Sequence, residues 1–530
     1  TVWNSGSNTT ATILLDQGFL TNTYPTVLFS GGKGGSLSLT YAEALYTKFP
    51  VKNNRNEVDG KYLIGRKDSV LSAGVSGQSY TPFSWRTYRY LQVCITTKDD
   101  ALTIEDIYGT FTGYPFKMNA TLQADNPELQ KIMEIGWRTA RLNAFETYMD
   151  CPYYEQLQYI GDSRIQAMVS LYNSGDDRLV RNALNNMNNS RQPEGITLSR
   201  HPSKTPQYIP TFSLWYLGML HDYWMYGKDE TFVKDKLPGE RQVLSFFRKY
   251  QQEDGSLKNT PYWMFTDWVG AKDWHIGAGP RGKDGTSAML DLQLLWAYQV
   301  AADIESKIGM KEYAALYLSY ADQLKTTIRN KYWNSNREIF ADRAEKDLYS
   351  QHTNTLAILT GMLEKDEMQS VANTLLTDNT LAPASIYFKY YLHQALVKAG
   401  LGNNYTKWLD VWRENIKLGM TTWGETSKVD TTRSDCHAWG ASPNIEFFRT
   451  VLGIDSDAPG FAKVKIEPHL GELKKISGTM PHPAGTIAVN YAFVANKWKM
   501  LISLPQNVTG TFVWNGRSHP LTGGKNVLEL

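Results

Sequence analysis

Residues 150–164, DCPYYEQLQYIGDSR, place three carboxylates, Asp150, Glu155 and Asp162, within thirteen positions. Tyrosines and glutamines stand between them, and a single arginine, Arg164, closes the run. A solvated helix face would mix Glu with Lys at i,i+4 spacing. This stretch does not, so it reads as a site. A second stretch, TTWGETSKVDTTRSDCHAWGASP at 421–443, sets Glu425 beside Trp423 and Gly424, with Asp435 and His437 further on. Two carboxyl groups brought together could cleave a glycosidic bond. One, protonated, gives its proton to the leaving oxygen; the other, ionised, activates water or attacks the sugar. Taken singly, either glutamate reads first as a surface or helix-capping acid.

Both stretches need a scaffold to bring them together. From about 10 to 118 the chain has period two: SLSLTYAEALY alternates Leu37, Leu39 and Tyr41, and Gly-rich turns such as GGKGG at 31–35 separate the segments. This pattern predicts an antiparallel β-sandwich over 1–118. The signal changes at Asn126, a cap, followed by Pro127 at the first helical position. Helical patterns starting near 126, 160, 176, 211, 230, 285, 310, 351, 364, 384, 403 and 437 give about twelve helices over 119–455. Twelve helices without a regular repeat predict pairs closing into an (α/α)6 barrel rather than an open solenoid. Non-helical insertions at about 252–284 and 419–436 would lie on its rim, where functional loops belong. Period two returns over 456–530, in FAKVKIEP, GTIAVNY, KWKMLISLP and GTFVWNG, predicting a second β-sandwich with a turn at Ala495-Asn496.

Composition narrows the function classes. With 530 residues the chain exceeds what one core supports, so several domains are expected. Lys+Arg (55) balances Asp+Glu (53) and no basic stripe is dense, so neither nucleic acid nor an anionic membrane is an expected partner. No apolar run reaches transmembrane length. The expected setting is soluble, periplasmic or secreted rather than cytoplasmic, for a chain trimmed before Thr1. Cys94, Cys151 and Cys436 show no metal-like spacing and imply neither a zinc site nor a disulfide framework. The 16 Trp and 31 Tyr can pack a core, or can stack on the apolar faces of sugars.

Together DCPYYEQLQYIGDSR, WMFTDWVGAKDW and the 421–443 stretch resemble the bacterial α-L-rhamnosidases of glycoside hydrolase family 78. VLFSGGKGGSLSLTYAEAL resembles the family's β-sandwich before the barrel, and PGFAKVKIEP with PAGTIAVNY its C-terminal sandwich. The resemblance implies an inverting hydrolase with an (α/α)6 catalytic domain, a rhamnose-containing glycan or glycoside as substrate, and no cofactor or metal. Glu155 matches the family's general acid and Glu425 its general base. Asp150 and Asp162 match acids that hold sugar hydroxyls, and His437 a histidine that contacts the sugar or the catalytic water. Trp215 and Trp268 match aromatic walls of the pocket. Two positions depart: many members carry arginine in the slot of Tyr154 and tryptophan in the slot of Tyr159.

The residue types agree with those roles. L-Rhamnose carries a methyl at C5, so its pocket needs an apolar wall beside groups for the hydroxyls. Tyr153, Tyr154, Tyr159, Trp268 and Trp274 can form that wall. Asp267 and Asp273 could bind sugar or pin their loop, and Arg164 and Arg433 are expected to orient acids. GAGPRGKDG at 277–285 follows no clear strand and is no phosphate cradle. The rival readings are another (α/α)6 glycosidase, a polysaccharide lyase, and a non-catalytic glycan-binding protein. A lyase would need a basic site to neutralise an acidic sugar, and 150–164 is acid-rich.

Overall fold

A computed structural model describes residues 3–4 and 6–530. The chain divides into two compact units. One comprises residues 1–115, 138–156 and 411–438; the other comprises 116–137, 157–410 and 439–530.

The first unit is built on one antiparallel sheet. Its strands are β1 (Trp3–Asn4), β2 (Thr10–Gly31), β3 (Ser36–Ala42), β4 (Arg66–Leu71), β5 (Gln78–Tyr80), β6 (Arg86–Thr96) and β7 (Leu102–Phe111). They run in the order β1-β7-β2-β6-β3-β4, with β5 added against β2. Instead of two separate sheets there is one hydrogen-bonded sheet, because the 22-residue β2 serves two neighbours. Its first part pairs with β6 and its last part with β7, and the register shifts between Asp16 and Thr21. Gly18 lies in that irregularity at φ +78°, where a side chain would be strained, and its N–H donates to Asp16 Oδ1 (2.8 Å). The inward positions of the period-two runs, Leu37, Leu39, Tyr41, Leu91, Val93 and Ile95, pack with Val27 and Phe29 as its core.

The second unit is mainly helical. Ile160–Asn173, Pro210–Tyr226, Ala288–Ile308, Gln351–Leu359 and Lys389–Leu396 are buried over most of their circumference. Arg178–Asn189, Leu237–Arg248, Lys311–Tyr332 and Lys365–Thr377 alternate with them along the chain and bury one face each. Successive buried helices pack on one another in chain order. The helix expected from 230 is two, Glu230–Lys234 and Leu237–Arg248, because Pro238 can occupy a first turn but not a helix interior. No helix lies between 248 and 288, as the insertion at 252–284 requires.

The C-terminal residues form two sheets. One contains Ile454–Ser456, Lys463–Ile466, Thr509–Trp514 and Arg517–Leu521. The other contains Lys475–His482, Gly485–Val494, Lys497–Leu504 and Gly524–Glu529. Ala495 and Asn496 both take positive φ (51° and 60°), the conformation a two-residue hairpin turn demands. The second sheet also recruits Thr121–Ala124, which pairs with Lys475–His482 before the first helix begins. Among the described residues no helix is long and apolar enough to cross a membrane.

Candidate active site

In the first unit the acid-bearing segments fold onto the sheet and onto the 43–66 region. Residues 151–156 form a tight turn: Gln156, at φ +59°, donates its N–H to Cys151 O (3.1 Å) and its Nε2 to Pro152 O (2.8 Å). Tyr153 Oη donates to Tyr41 O of β3 (2.9 Å), and Thr87 Oγ1 of β6 donates to Pro152 O (3.0 Å). Tyr153 is thus an anchor of the turn rather than a pocket wall. Glu155 is left at the turn's end.

Residues 422–437 double back on themselves. His437 N donates to Trp423 O (2.8 Å) and Glu425 N to Ser434 O (3.0 Å), so the two limbs lie side by side. Gly424 N is fixed by Asn415 Oδ1 (3.0 Å), and Thr422 Oγ1 by Asp435 O (2.6 Å). This pairing lays Arg433 against Glu425. Arg433 Nε donates to Glu425 Oε2 (3.2 Å) and Nη2 to Glu425 Oε1 (3.3 Å), while Nη1 lies 2.8 Å from Glu155 Oε1. One guanidinium therefore joins the two glutamates that the sequence singles out. Burial works against the charge of Arg433, but the carboxylates of Glu425 and Glu155 outweigh it and hold its pKa up. The guanidinium also lies 5.5 Å from the ring centre of Tyr154.

Asp150, Cys151 and His437 sit nearby in the same unit, all buried, with ligand atoms within 4.8 Å of one another. Cys151 Sγ donates to Asp150 Oδ2 (3.0 Å). Burial, then the charge of Asp150, pushes the Cys151 thiol well above its ordinary pKa. At neutral pH it stays a thiol, which a metal would have to deprotonate. The three cysteines are free.

Asp435 has a different job. It is buried and accepts from Lys52 Nζ (2.9 Å), Arg55 Nε (3.0 Å) and Arg55 Nη2 (3.0 Å), while its own N–H donates to Glu43 Oε2 (3.1 Å). Burial alone would raise its pKa, but Arg55 and Lys52 outweigh that and hold the carboxyl below the ordinary range. Lys52 Nζ also donates to Arg433 O (2.9 Å), so this cluster fixes the backbone under Arg433. Asp435→Asn should cost about 3–5 kcal/mol, since two buried cations lose their counter-charge. The carboxyl is depressed in the folded state, so its contribution is full above the unfolded value of about 3.9 and fades as pH falls below it. Urea unfolding of both proteins should show a gap that narrows on acidification.

The second unit holds the remaining expected residues. Asp162 is buried in the first turn of Ile160–Asn173, whose cap position is Tyr159. The Tyr159 hydroxyl accepts from Arg200 Nη1 (2.6 Å). Trp268 is half-buried and meets Phe265 edge-on (5.1 Å). Three further expected residues are buried among partners within this unit. Asp267 is fully buried, and its oxygens accept from His352 Nε2 (2.7 Å), Ser385 N (2.7 Å) and Ser385 Oγ, so it pins the 252–284 loop. Trp215 points into the helical core, stacked on Tyr391 (4.4 Å) with Arg164 5.3 Å from its ring centre. Trp274 packs beside Met289, Ala382 and His352. Asp273 is the loop's second pin, 3.0 Å from Arg343 Nη1, and Arg164 pairs with Asp222 (2.8 Å) instead of a site acid. Tyr387, buried and stacked on Trp439 (4.5 Å), lies in the turn before Lys389–Leu396, and nothing in the sequence marks it.

Two carboxylates tied by one cation, in a chain of antiparallel sheets and a helical region, define a candidate glycosidase. Comparison with known proteins gives the family. Residues 117–451 match the bacterial alpha-L-rhamnosidase 6 hairpin glycosidase domain and residues 453–529 the bacterial alpha-L-rhamnosidase C-terminal domain. The chain belongs to the bacterial α-L-rhamnosidase family of glycoside hydrolases. The alpha-L-rhamnosidase of Alteromonas sp. (strain LOR) is 22% identical over 542 residues, covering 95% of this chain and 56% of that protein. The GH78 family rhamnosidase of Bacillus sp. GL1 shares the fold at TM-score 0.86 and 23% identity, over 97% of this chain and 54% of that one. A Klebsiella oxytoca rhamnosidase with rhamnose bound aligns at TM-score 0.73 and 17% identity, over 84% of this chain and 88% of its own. The chain thus spans little more than half the length of the first two.

Proposed function

We propose that this chain is the catalytic portion of an inverting, exo-acting α-L-rhamnosidase that removes terminal α-L-rhamnosyl units from a glycan or glycoside. The observation that carries this reading is the Glu155–Arg433–Glu425 bridge, which draws two distant sequence segments into one acid pair. Glu155 protonates the leaving glycosidic oxygen. Glu425 takes a proton from water, which attacks the anomeric carbon from the opposite face. For that water to fit, the two carboxyl groups must work about 6.5–9.5 Å apart. Beside them in the same unit, Asp150 and His437 hold hydroxyls, and Tyr154 faces the C5 methyl. A guanidinium already committed to two carboxylates does not suit a lyase, which needs a free cation for an acidic sugar. The alternation of buried and amphipathic helices supports six hairpins closing an (α/α)6 ring over 119–455, with sheet domains at 1–118 and 456–530.

Assay of the protein against a panel of p-nitrophenyl glycosides tests the substrate. The α-L-rhamnoside should be cleaved faster than the α-L-mannoside, which replaces the methyl by CH₂OH. The preference should be about 10–200-fold, because an apolar wall rejects an added hydroxyl only weakly. Equal rates, or a better substrate elsewhere in the panel, would remove the rhamnose assignment.

A further inference from the structure

We propose that Arg433 is a positioning residue that ties Glu155 and Glu425 together as an ionised pair before sugar enters, then releases Glu155 while keeping Glu425. The inference rests on the acid and base roles proposed above and adds the device that lets two neighbouring carboxyl groups adopt opposite protonation states.

The two ends of the bridge are unequal. Arg433 grips Glu425 through two nitrogens, Nε and Nη2, and the Glu425 side chain is only 6% exposed. It meets Glu155 through Nη1, and the Glu155 side chain is 26% exposed. A forked, buried contact is the stronger one, and a contact nearer solvent is the weaker. The backbone of Arg433 is held by Lys52, and its side chain is 47% exposed. The ring of Tyr154 lies 5.5 Å from the guanidinium, on which Glu425 keeps its hold when Glu155 leaves.

The chemistry requires the asymmetry. A cation beside a carboxylate favours its ionised form, which suits a base and disables an acid. While Nη1 holds Glu155, that group cannot deliver a proton. Once a sugar separates them, Glu155 takes a proton from solvent and Glu425 remains ionised beside Nε and Nη2. The bound substrate therefore arms its own acid.

The test compares pH profiles for methyl α-L-rhamnoside, whose poor leaving group needs the acid. The profile of kcat/KM reports the free enzyme and that of kcat the complex. In the wild-type protein the basic limb of kcat should lie about one pH unit above that of kcat/KM, the low end of the range for a carboxylate near Arg because the pair is partly exposed. In Arg433→Gln the two limbs should coincide at the higher value. Arg433→Lys, which keeps the charge without the fork, should lie between them. A residue that merely supports the loop would lower the rate and leave the limbs apart. Carbon-13 NMR titration of the glutamate carboxyls reads the same effect without turnover. Glu155 should titrate about one unit higher in Arg433→Gln than in the wild type. An unchanged Glu155 titration, or coincident limbs in the wild type, overturns the proposal. A wild type that cleaves no rhamnoside overturns the proposed function instead, and the NMR titration still decides the bridge.

Discussion

Replacing Glu425 by glutamine should abolish most hydrolysis of activated and unactivated rhamnosides alike. The amide is nearly isosteric, and its oxygen can still accept from Arg433, so the doubled-back loop held by Glu425 N and Ser434 O is kept. What disappears is the group that takes a proton from the attacking water. Because every substrate needs that water, the loss should be about 10²–10⁴-fold in kcat whatever the leaving group. Thermal unfolding should move little, which separates lost chemistry from lost fold. Azide added to Glu425→Ala needs no deprotonation to attack and should partly restore cleavage, giving a β-glycosyl azide. An Glu425→Gln protein that cleaves p-nitrophenyl α-L-rhamnoside at the wild-type rate would exclude Glu425 as the base.

Glu155→Gln should discriminate between substrates instead. A 2,4-dinitrophenyl leaving group departs as a stable anion and needs no proton, whereas a methyl or sugar alkoxide does. The variant should therefore keep near-normal rates on the activated glycoside and lose about 10²–10⁴-fold on methyl α-L-rhamnoside. The pH profile supplies a second reading. An acid must be protonated to work, so activity falls as pH rises through its pKa, and that basic limb should vanish in Glu155→Gln. Equal losses on both substrates would assign Glu155 a different role.

The order of sheet, helices and sheet was legible because period two and period 3.6 are strong signals over long stretches. The acid segments were legible too, since carboxylates set among tyrosines and amides match no solvated helix face. Long-range hydrogen bonding was not. Thr121–Ala124 is too short to announce that its partner is Lys475–His482, far along the chain. The N-terminal strands form one sheet because β2 shifts register midway, and a bulge at Gly18 leaves only a weak trace in sequence. Nor does periodicity say which acid faces a cavity and which faces a histidine. Asp267 and Asp435 look as available as Glu425 in sequence, yet the first is spoken for by His352 and Ser385, the second by Lys52 and Arg55. The direction of Trp215 is hidden for a similar reason. A tryptophan in an all-round apolar helix packs its core, and only the tertiary contact with Tyr391 reveals which way it turns. Arg433 reads in the sequence as a partner that orients an acid, without showing which one; the pairing of the two loop limbs makes it the link between both glutamates.

The account's central claim is that water, activated by Glu425 and matched by the acid Glu155, displaces the leaving group directly. Proton NMR of the hydrolysis of p-nitrophenyl α-L-rhamnoside, recorded before the sugar mutarotates, tests it most directly. The first product should be β-L-rhamnose, with the α-anomer growing in later. An initial α-anomer would mean two displacements through a glycosyl ester, contradicting the account and making Glu425 the nucleophile.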